Sequence, residues 1–306
     1  MSDSTDHAAC TRAAEILRNG GLVAFPTETV YGLGADARNI NAVRKIFEVK
    51  GRPETHPLIV HIASATQLSS WAATVPDTAR RLAERFWPGP LTLILTKHES
   101  VPLDVTGGQD TVGLRVPAHP LALNLLTEFG GGIAAPSANR FGRVSPTTAT
   151  HVRDDLGKDV DFILDGGPCS VGVESTIVNL SSGRPTILRP GGVTREEIEE
   201  VLGCNVPVQK SGEIRVSGSL PSHYAPQAEV RIVGTNELAT YAASMKQQGI
   251  HFEILQPDAH TLYAAMRDAD QRGVQVILTT LPPDQGLGLA IQDRLRRAAG
   301  QGHQSD

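Results

Sequence analysis

The chain has 306 residues, of which 40% are hydrophobic and 20% charged, and its formal net charge is -5 at pH 7. This length predicts two domains, or one large domain with an appendage, in a globular protein with a sizeable core. The acidic balance disfavours a broadly basic nucleic-acid-binding protein but leaves room for a local basic pocket. Because aromatic residues make up only 4% of the chain, the core is expected to be mainly aliphatic.

The first residues, the apolar runs and the cysteines indicate the cellular compartment of the protein. The first six residues are polar and acidic, without the apolar segment of a secretory signal, and no apolar run approaches the roughly 18 residues of a membrane span. The three cysteines, Cys10, Cys169 and Cys204, are far apart and odd in number. They predict neither a disulfide framework nor a Cys-x-x-Cys metal site. These features together predict a cytoplasmic protein without a membrane segment.

Helices and strands are predicted in mixed order over the first two thirds of the chain. A helix over 7–19 ends at a Gly-Gly pair, and a short buried strand follows over 22–25. Residues 41–49 form the next predicted helix, with Val43, Ile46 and Phe47 on one face. Further strands are predicted at 58–62, 91–95, 112–116, 162–164, 176–180 and 186–188, and helices at 77–86, 120–129 and from the capping box at 194 to 202. This order predicts an α/β (α+β) fold with a twisted sheet of parallel and antiparallel strands.

The last third of the chain differs in pattern. Residues 204–228 are rich in proline and turn residues and have little periodicity, which predicts a linker or a lid. Strands at 230–233, 252–255 and 274–278 then alternate with helices at 237–247, 262–269 and 289–298. The sequence thus predicts a catalytic domain at 9–203, a linker at 204–228 and a small parallel α/β domain at 229–302.

Two cations flank a glycine in Lys50-Gly51-Arg52-Pro53, directly after a predicted helix. The glycine is expected to let the backbone come close to an anion, which both cations would then bind. The alternative is a solvated turn, in which Lys50 stabilises the negative end of the helix dipole. Standard nucleotide signatures do not decide between the two. No G-x-x-x-x-G-K-[ST] sequence occurs, and Gly32-Leu33-Gly34-Ala35-Asp36-Ala37 fits G-x-G-x-x-A only as an isolated match.

Three further segments carry polar groups in apolar or turn-rich surroundings. Arg115 lies inside a predicted strand and faces away from Leu114 and Val116, so it could clamp a carboxylate or lie in water at a sheet edge. Ser137 and Asn139 follow a glycine-rich turn and could contact a ligand or simply form a turn. Ser175 and Arg189 lie at a strand start and a strand end. No G-x-S-x-G elbow and no metal-ligand cluster is present, so no metal-binding residue is predicted.

In this order, the segments resemble the YrdC-like threonylcarbamoyl-AMP synthase family in its long, two-domain form. The resemblance runs from residue 9 to about 203 and continues in the tail. Its motifs are Phe25 to Leu33, Lys50 to Pro53 with His56-Pro57-Leu58, Trp87 to Thr92, Gly113 to Pro117, Pro136 to Asn139, Ser145-Pro146-Thr147, Glu174-Ser175-Thr176, Leu188 to Gly191, His223 to Pro226, Gly286 to Ala290 and Arg294-Leu295. Two places depart from the family pattern. Leu220-Pro221-Ser222 replaces a common Lys-Tyr-Arg, and Arg140-Phe141-Gly142 replaces a common Ser-Gly.

The resemblance implies an enzyme that makes threonylcarbamoyl-AMP, pyrophosphate and water from L-threonine, bicarbonate and ATP with magnesium. A downstream transferase would use the product to modify an adenosine in certain tRNAs, without stable nucleic-acid binding by this chain. The family's catalytic positions fall on Lys50, Arg52, Ser137 and Asn139. Its threonine-binding positions fall on Thr29, His56, Arg115 and Ser175, and its ATP-binding positions on Lys50, Arg52, Ala135, Ser137, Ser145, Arg189 and Tyr224.

Two alternatives remain at this point. A carbamoyl-adenylate synthase that uses carbamoyl phosphate would have related chemistry on the same fold, but such proteins usually carry extra domains that this chain lacks. A non-catalytic RNA-binding module belongs to a different class. The net charge of -5 and the few aromatic residues disfavour it.

Overall fold

The computed structural model describes residues 2–209, 214–218 and 224–300. In these residues the strands form two sheets. The strands of the large sheet are β1 (Val23–Phe25), β2 (Gly32–Asp36), β3 (Ile59–His61), β4 (Leu91–Thr96), β5 (Thr111–Arg115), β6 (Ile133–Ala134), β7 (Phe162–Ile163), β8 (Thr176–Asn179) and β9 (Thr186–Arg189). Their order is β7-β1-β2-β6-β3-β5-β4-β8-β9, with parallel and antiparallel pairs.

The described helices of this first part of the chain pack around the large sheet. They are α1 (Ser2–Arg18), α2 (Ile40–Lys50), α3 (Asp77–Phe86), α4 (Leu103–Thr106), α5 (Pro120–Phe129), α6 (Ala149–Leu156) and α7 (Arg195–Leu202). The predicted capping box at the start of α7 is confirmed, because Thr194 and Glu197 each bond to the other's backbone N–H. None of the helices in the described part of the chain is long and apolar enough to cross a membrane.

The second sheet is small and parallel. It contains β10 (Glu229–Ile232), β11 (Phe252–Leu255) and β12 (Val276–Thr279) in the order β10-β12-β11. The helices α8 (Leu238–Gln247), α9 (Leu262–Gln271) and α10 (Gly288–Ala298) alternate with these strands. The predicted mixed fold with a smaller parallel α/β domain is confirmed. The domain limits at 203 and 229 stay predictions, and residues 210–213 and 219–223 of the predicted linker lie outside the described residues.

Two central strands were not predicted. β2 is rich in glycine, and β6 has only two residues, yet together with β1 and β3 they build the middle of the sheet. A Cβ atom at Gly34 would lie 2.7 Å from Cγ2 of Ile133 and 2.9 Å from Cε1 of Phe25. The glycine is therefore required for close packing of β2 on its neighbours.

The end of α2 sets the position of the first cations. Asn39 caps the helix by accepting a hydrogen bond from the backbone N–H of Ala42, and the helix ends at Gly51 in the left-handed conformation with φ of 63°. A Cβ at Gly51 would meet no protein atom within 4 Å. Protein packing therefore does not require the glycine, whereas the left-handed C-cap favours it.

Candidate active site

A pocket opens beside the centre of the large sheet. Its wall is formed by the loop after β1, the loop after β6, the start of β8, the end of β9 and residues 217–218. The polar and charged side chains in its lining are Thr27, Thr29, Arg52, His61, Arg115, Ser137, Glu174, Ser175, Arg189, Ser217 and Tyr224.

Lys50 ties the end of α2 to the loop after β6. Its Nζ donates hydrogen bonds to the carbonyl oxygen of Ser137 at 2.6 Å and to that of Asn139. These segments are 87 residues apart in the sequence. Lys50 is only 3% exposed, so the solvated-turn alternative is wrong. Burial, and then the nearby Arg52, hold the pKa of Lys50 well below its usual value.

Arg52 points into the pocket without a carboxylate partner among the described residues. Its Nη2 donates to the carbonyl oxygen of Pro57 at 3.1 Å and to Oγ of Ser217 at 3.2 Å. Its Nε is buried and has no hydrogen-bond partner in the described part of the chain. Burial lowers the pKa of Arg52 to about 10, so the guanidinium stays charged at neutral pH.

Arg189, at the end of β9, lies on the same side of the pocket as Arg52. It donates to the carbonyl oxygen of Ser175 from Nε at 3.2 Å and from Nη2 at 2.8 Å. Its Nη1 donates to the carbonyl oxygen of Ser217 at 2.9 Å. Within the described ranges it forms no ion pair with a carboxylate. Neutral oxygens therefore hold both guanidinium groups in place, and neither group forms an ion pair among the described residues.

Arg115, at the end of β5, is held differently. Its Nη2 lies 2.6 Å from Oε1 of Glu28 and donates to Oγ1 of Thr29 at 2.9 Å. The second oxygen of Glu28 accepts from the backbone N–H of Ala118 at 2.9 Å. Because β5 lies inside the sheet and Arg115 is 4% exposed, the alternative of an edge-strand arginine in water is wrong.

Of two histidines near the pocket, one lines it and the other does not. The ring of His56 packs edge-on against that of Phe141, with 5.5 Å between centroids, and His56 is outside the pocket lining. His61 lies in the lining and is 4% exposed. Its Nδ1 has no hydrogen-bond partner in the described part of the chain. Burial, and then the charge of Arg115, lower the pKa of His61 to about 3, so the imidazole is neutral.

The remaining predicted residues are divided between the lining and its support. The lining contains Ala135, Ser137, Ser175 and Tyr224, in addition to Thr29, Arg52, Arg115 and Arg189. Lys50, Asn139 and Ser145 are not in the lining, but Lys50 and Ser145 bond to the lining residues Ser137 and Glu174. The amide nitrogen of Asn139 donates to the carbonyl oxygens of Arg140 and Arg143. Oγ of Ser145 donates to Oε1 of Glu174 at 2.6 Å.

Glu28, Glu174 and His61 were not assigned roles from the sequence. Glu28 supports Arg115 from within the pocket region, and Glu174 and His61 lie in the lining itself. Glu28 and Glu174 lie in the motifs Phe25 to Leu33 and Glu174-Ser175-Thr176, so the signal was present. Their partners are far away in the sequence, and this is why their contacts could not be read from it.

Comparison with known proteins assigns this chain and its fold to a family. Residues 15–191 match the Sua5–YciO–YrdC family, described as "Telomere recombination". The chain therefore belongs to the Sua5–YciO–YrdC family. Residues 193–300 match the family described as "Threonylcarbamoyl-AMP synthase, C-terminal domain", so the chain has the two-domain form.

Relatives and a solved structure match nearly the whole chain. The threonylcarbamoyl-AMP synthase of Pyrococcus abyssi is 44% identical over 94% of this chain and 93% of the relative. The protein of the same name from Bacillus subtilis is 43% identical over 97% of this chain and 94% of the relative. The crystal structure of P. abyssi Sua5 complexed with L-threonine has a TM-score of 0.88 at 43% identity, covering 96% of this chain and 94% of that chain.

Proposed function

We propose that the chain is a threonylcarbamoyl-AMP synthase that joins L-threonine, bicarbonate and ATP in this pocket and releases pyrophosphate. The observation that carries the proposal is the set of buried cations Lys50, Arg52 and Arg189, none of which pairs with a carboxylate among the described residues. An uncompensated buried charge is costly. A polyanionic ligand such as the triphosphate of ATP would compensate all three.

The side of the pocket around Arg115 suits threonine. Arg115 is positioned by Glu28 and offers a guanidinium to the threonine carboxylate. Thr29 and Ser175 supply hydroxyl groups beside it, and neutral His61 supplies an unpaired ring nitrogen. We assign His61 rather than His56 to this side, because only His61 lines the pocket. The P. abyssi structure with L-threonine supports a threonine site in this fold.

The chemistry needs positioning and charge more than it needs a covalent intermediate. The threonine amine attacks the carbon of bicarbonate or of carbon dioxide derived from it, which gives a carbamate and water. A carbamate oxygen then forms a bond to the α-phosphorus of ATP, and the bond from that phosphorus to the pyrophosphate oxygen breaks. Fixed cations stabilise the charge that develops on the phosphoryl oxygens without having to reorganise.

Individual residues have distinct tasks in this reaction. In its protonated form, which a bound anion would favour, Lys50 uses two of its three N–H groups on the carbonyls of Ser137 and Asn139 and keeps one for the reacting phosphate or carbamate. Arg52 and Arg189 contact the phosphates, and Ser137 contacts the reacting groups from the loop after β6. Ala135 and Tyr224 border the ATP side, and Ser145 and Asn139 support it from behind.

Magnesium is proposed to enter as part of the ATP complex. Among the described residues, no group of three or more His, Cys, Asp or Glu side chains is placed to hold a metal ion. Both carboxylates at the pocket are bound to arginines. This donor set fits a magnesium ion held mainly by phosphate oxygens and water, which is common for ATP-dependent sites.

The product would be an activated and labile threonylcarbamoyl group. We propose that a separate transferase in the cytoplasm uses it to modify tRNA. The deciding experiment incubates the purified chain with magnesium, ATP, bicarbonate and labelled threonine. Labelled threonylcarbamoyl-AMP and an equal amount of pyrophosphate are expected, and both should require bicarbonate. Pyrophosphate release without threonine, or no adenylate product, would contradict the proposal.

A further inference from the structure

Glu174 is a buried carboxylate in a pocket proposed to bind anions. Only 6% of it is exposed. Its Oε1 accepts from Oγ of Ser145, and its Oε2 accepts from Oη of Tyr263 and from Nε of Arg294, both at 2.8 Å. Burial alone would raise the pKa of Glu174, but Arg294 and then Arg189 hold it at about 2. The carboxylate is therefore ionised at neutral pH.

The cation that balances Glu174 comes from the second domain. Arg294 lies on α10 and is completely buried. Its Nη1 pairs with Asp293 at 2.6 Å, and its Cζ lies 5.1 Å from the centre of the Tyr224 ring. Its Nη2 is buried without a hydrogen-bond partner in the described ranges. Arg294 thus joins the pocket wall to α10 without lining the pocket itself.

Because Arg294 balances the charge of Glu174, Glu174 does not compete with the substrate for Arg189. The charged and titratable groups around Glu174 are Arg189 from the first domain, Tyr224 from the linker, and Tyr263, Asp293 and Arg294 from the second domain. Among these, Arg189 is the other cation, and it bonds to Ser175, the next residue after Glu174. Without Arg294, the negative charge of Glu174 would act mainly on Arg189.

We infer that Arg294, assisted by Tyr263, is a positioning residue that neutralises Glu174 and so keeps Arg189 available to ATP. This inference rests on the proposed function, because it takes ATP as the ligand of Arg189. It gives the second domain a part in substrate binding, since a residue on α10 sets the charge of a pocket in the other domain. Arg294 acts through Glu174, so its effect should vanish when Glu174 carries no charge.

The test is a double-mutant cycle on the full-length chain. ATP and threonine dissociation constants are measured by calorimetry, with magnesium, for wild type, Arg294→Gln, Glu174→Gln and the double variant. Arg294→Gln is expected to weaken ATP binding about tenfold or more and threonine binding by no more than about twofold. The double variant should bind ATP within about threefold of Glu174→Gln, because the uncompensated anion is gone.

A matched control separates this effect from loss of domain contact. His260, in the second part of the chain, bonds through Nδ1 to the carbonyl oxygen of Ser170 at 3.0 Å, away from the pocket lining. His260→Ala breaks that contact and should leave ATP affinity within about twofold of wild type. A tenfold loss in this control would overturn the inference, because it would show that any weakening of the contact between the domains has the same effect.

The remaining outcomes of the double-mutant cycle also support or overturn the inference. Unchanged ATP affinity in Arg294→Gln would overturn the inference but not the proposed function. The same holds if Arg294→Gln and the double variant lose equal ATP affinity. If Arg294→Gln does not fold, the comparison of the double variant with Glu174→Gln still tests it, and a tenfold difference between those two would overturn it. Absence of ATP binding in wild type would overturn the proposed function, and this inference with it.

Discussion

The two sides of the pocket hold their arginines in opposite ways. On the side proposed to bind threonine, Arg115 forms a buried ion pair with Glu28 at 2.6 Å. On the side proposed to bind ATP, Arg52 and Arg189 are held by carbonyl and hydroxyl oxygens and form no ion pair within the described residues. The same kind of side chain is therefore presented once in an ion pair with a carboxylate and twice without one.

The difference fits the ligands proposed for the two sides. Threonine carries one carboxylate and one ammonium group, so a balanced arginine can orient it without excess local charge. ATP carries several negative charges, which unbalanced cations attract and neutralise. ATP binding would then stabilise the enzyme, because a buried cation without a partner destabilises the free protein.

The largest expected effect comes from removing a cation on the ATP side. Arg52→Ala and Lys50→Ala should each lower threonine-dependent pyrophosphate release by about 100-fold or more, because the charge of the transition state loses a fixed partner. Pyrophosphate release is measured with saturating threonine and bicarbonate. The control is Arg44→Ala on the same helix α2, where Arg44 is exposed and pairs with Asp104. Near-wild-type turnover in either pocket variant would refute the assignment.

A smaller effect distinguishes the two sides by stability. Arg115→Gln leaves Glu28 buried without its partner and should lower the free energy of unfolding by about 3 kcal/mol or more. Arg189→Gln removes a cation that forms no ion pair among the described residues, although it helps to keep Glu174 ionised, so the loss should stay below that of Arg115→Gln. Urea unfolding without ligands measures both variants. The reverse order would show that the two sides do not differ in this way.

The smallest effect concerns His61, which neighbours Arg115. Its pKa is about 3 in the folded protein, against 6.5 ordinarily. Between these values the unfolded chain binds more protons, so stability is lost as the pH falls from about 6.5 towards 3, by up to about 1.4 kcal/mol per pH unit. His61→Gln should lose less stability than wild type between about pH 6.5 and 5. Parallel stability curves of the two proteins would contradict a buried neutral His61.

Helices whose apolar residues recur at helical spacing could be predicted from the sequence. The helices predicted at 77–86 and 120–129 agree at both ends with α3 and α5. β2 and β6 were missed because Gly32, Gly34 and Ala134 have little strand propensity of their own. Their extended conformation depends on packing and pairing with β1 and β3, which a local pattern does not contain.

The sequence predicted which residues form the site but not which of these residues pair with one another. The motifs, taken in order, identified most of the polar residues in the lining, including Arg52, Arg115 and Arg189. They did not show which carboxylate balances which arginine. Glu28 and Arg115 are 87 residues apart, and Glu174 and Arg294 are 120 residues apart. Such pairings arise only when the sheet and the second domain are assembled.

The position of β6 has a consequence for how the chain folds. β2 and β3 are complete by residue 61, but each pairs with β6, which arrives only at residues 133–134. During synthesis their facing edges stay unpaired until then, and exposed edges of this kind favour association with other chains. The same closure brings the loop after β6 onto Lys50. Formation of the catalytic pocket should therefore be a late event in folding, and early intermediates should be both inactive and prone to aggregate.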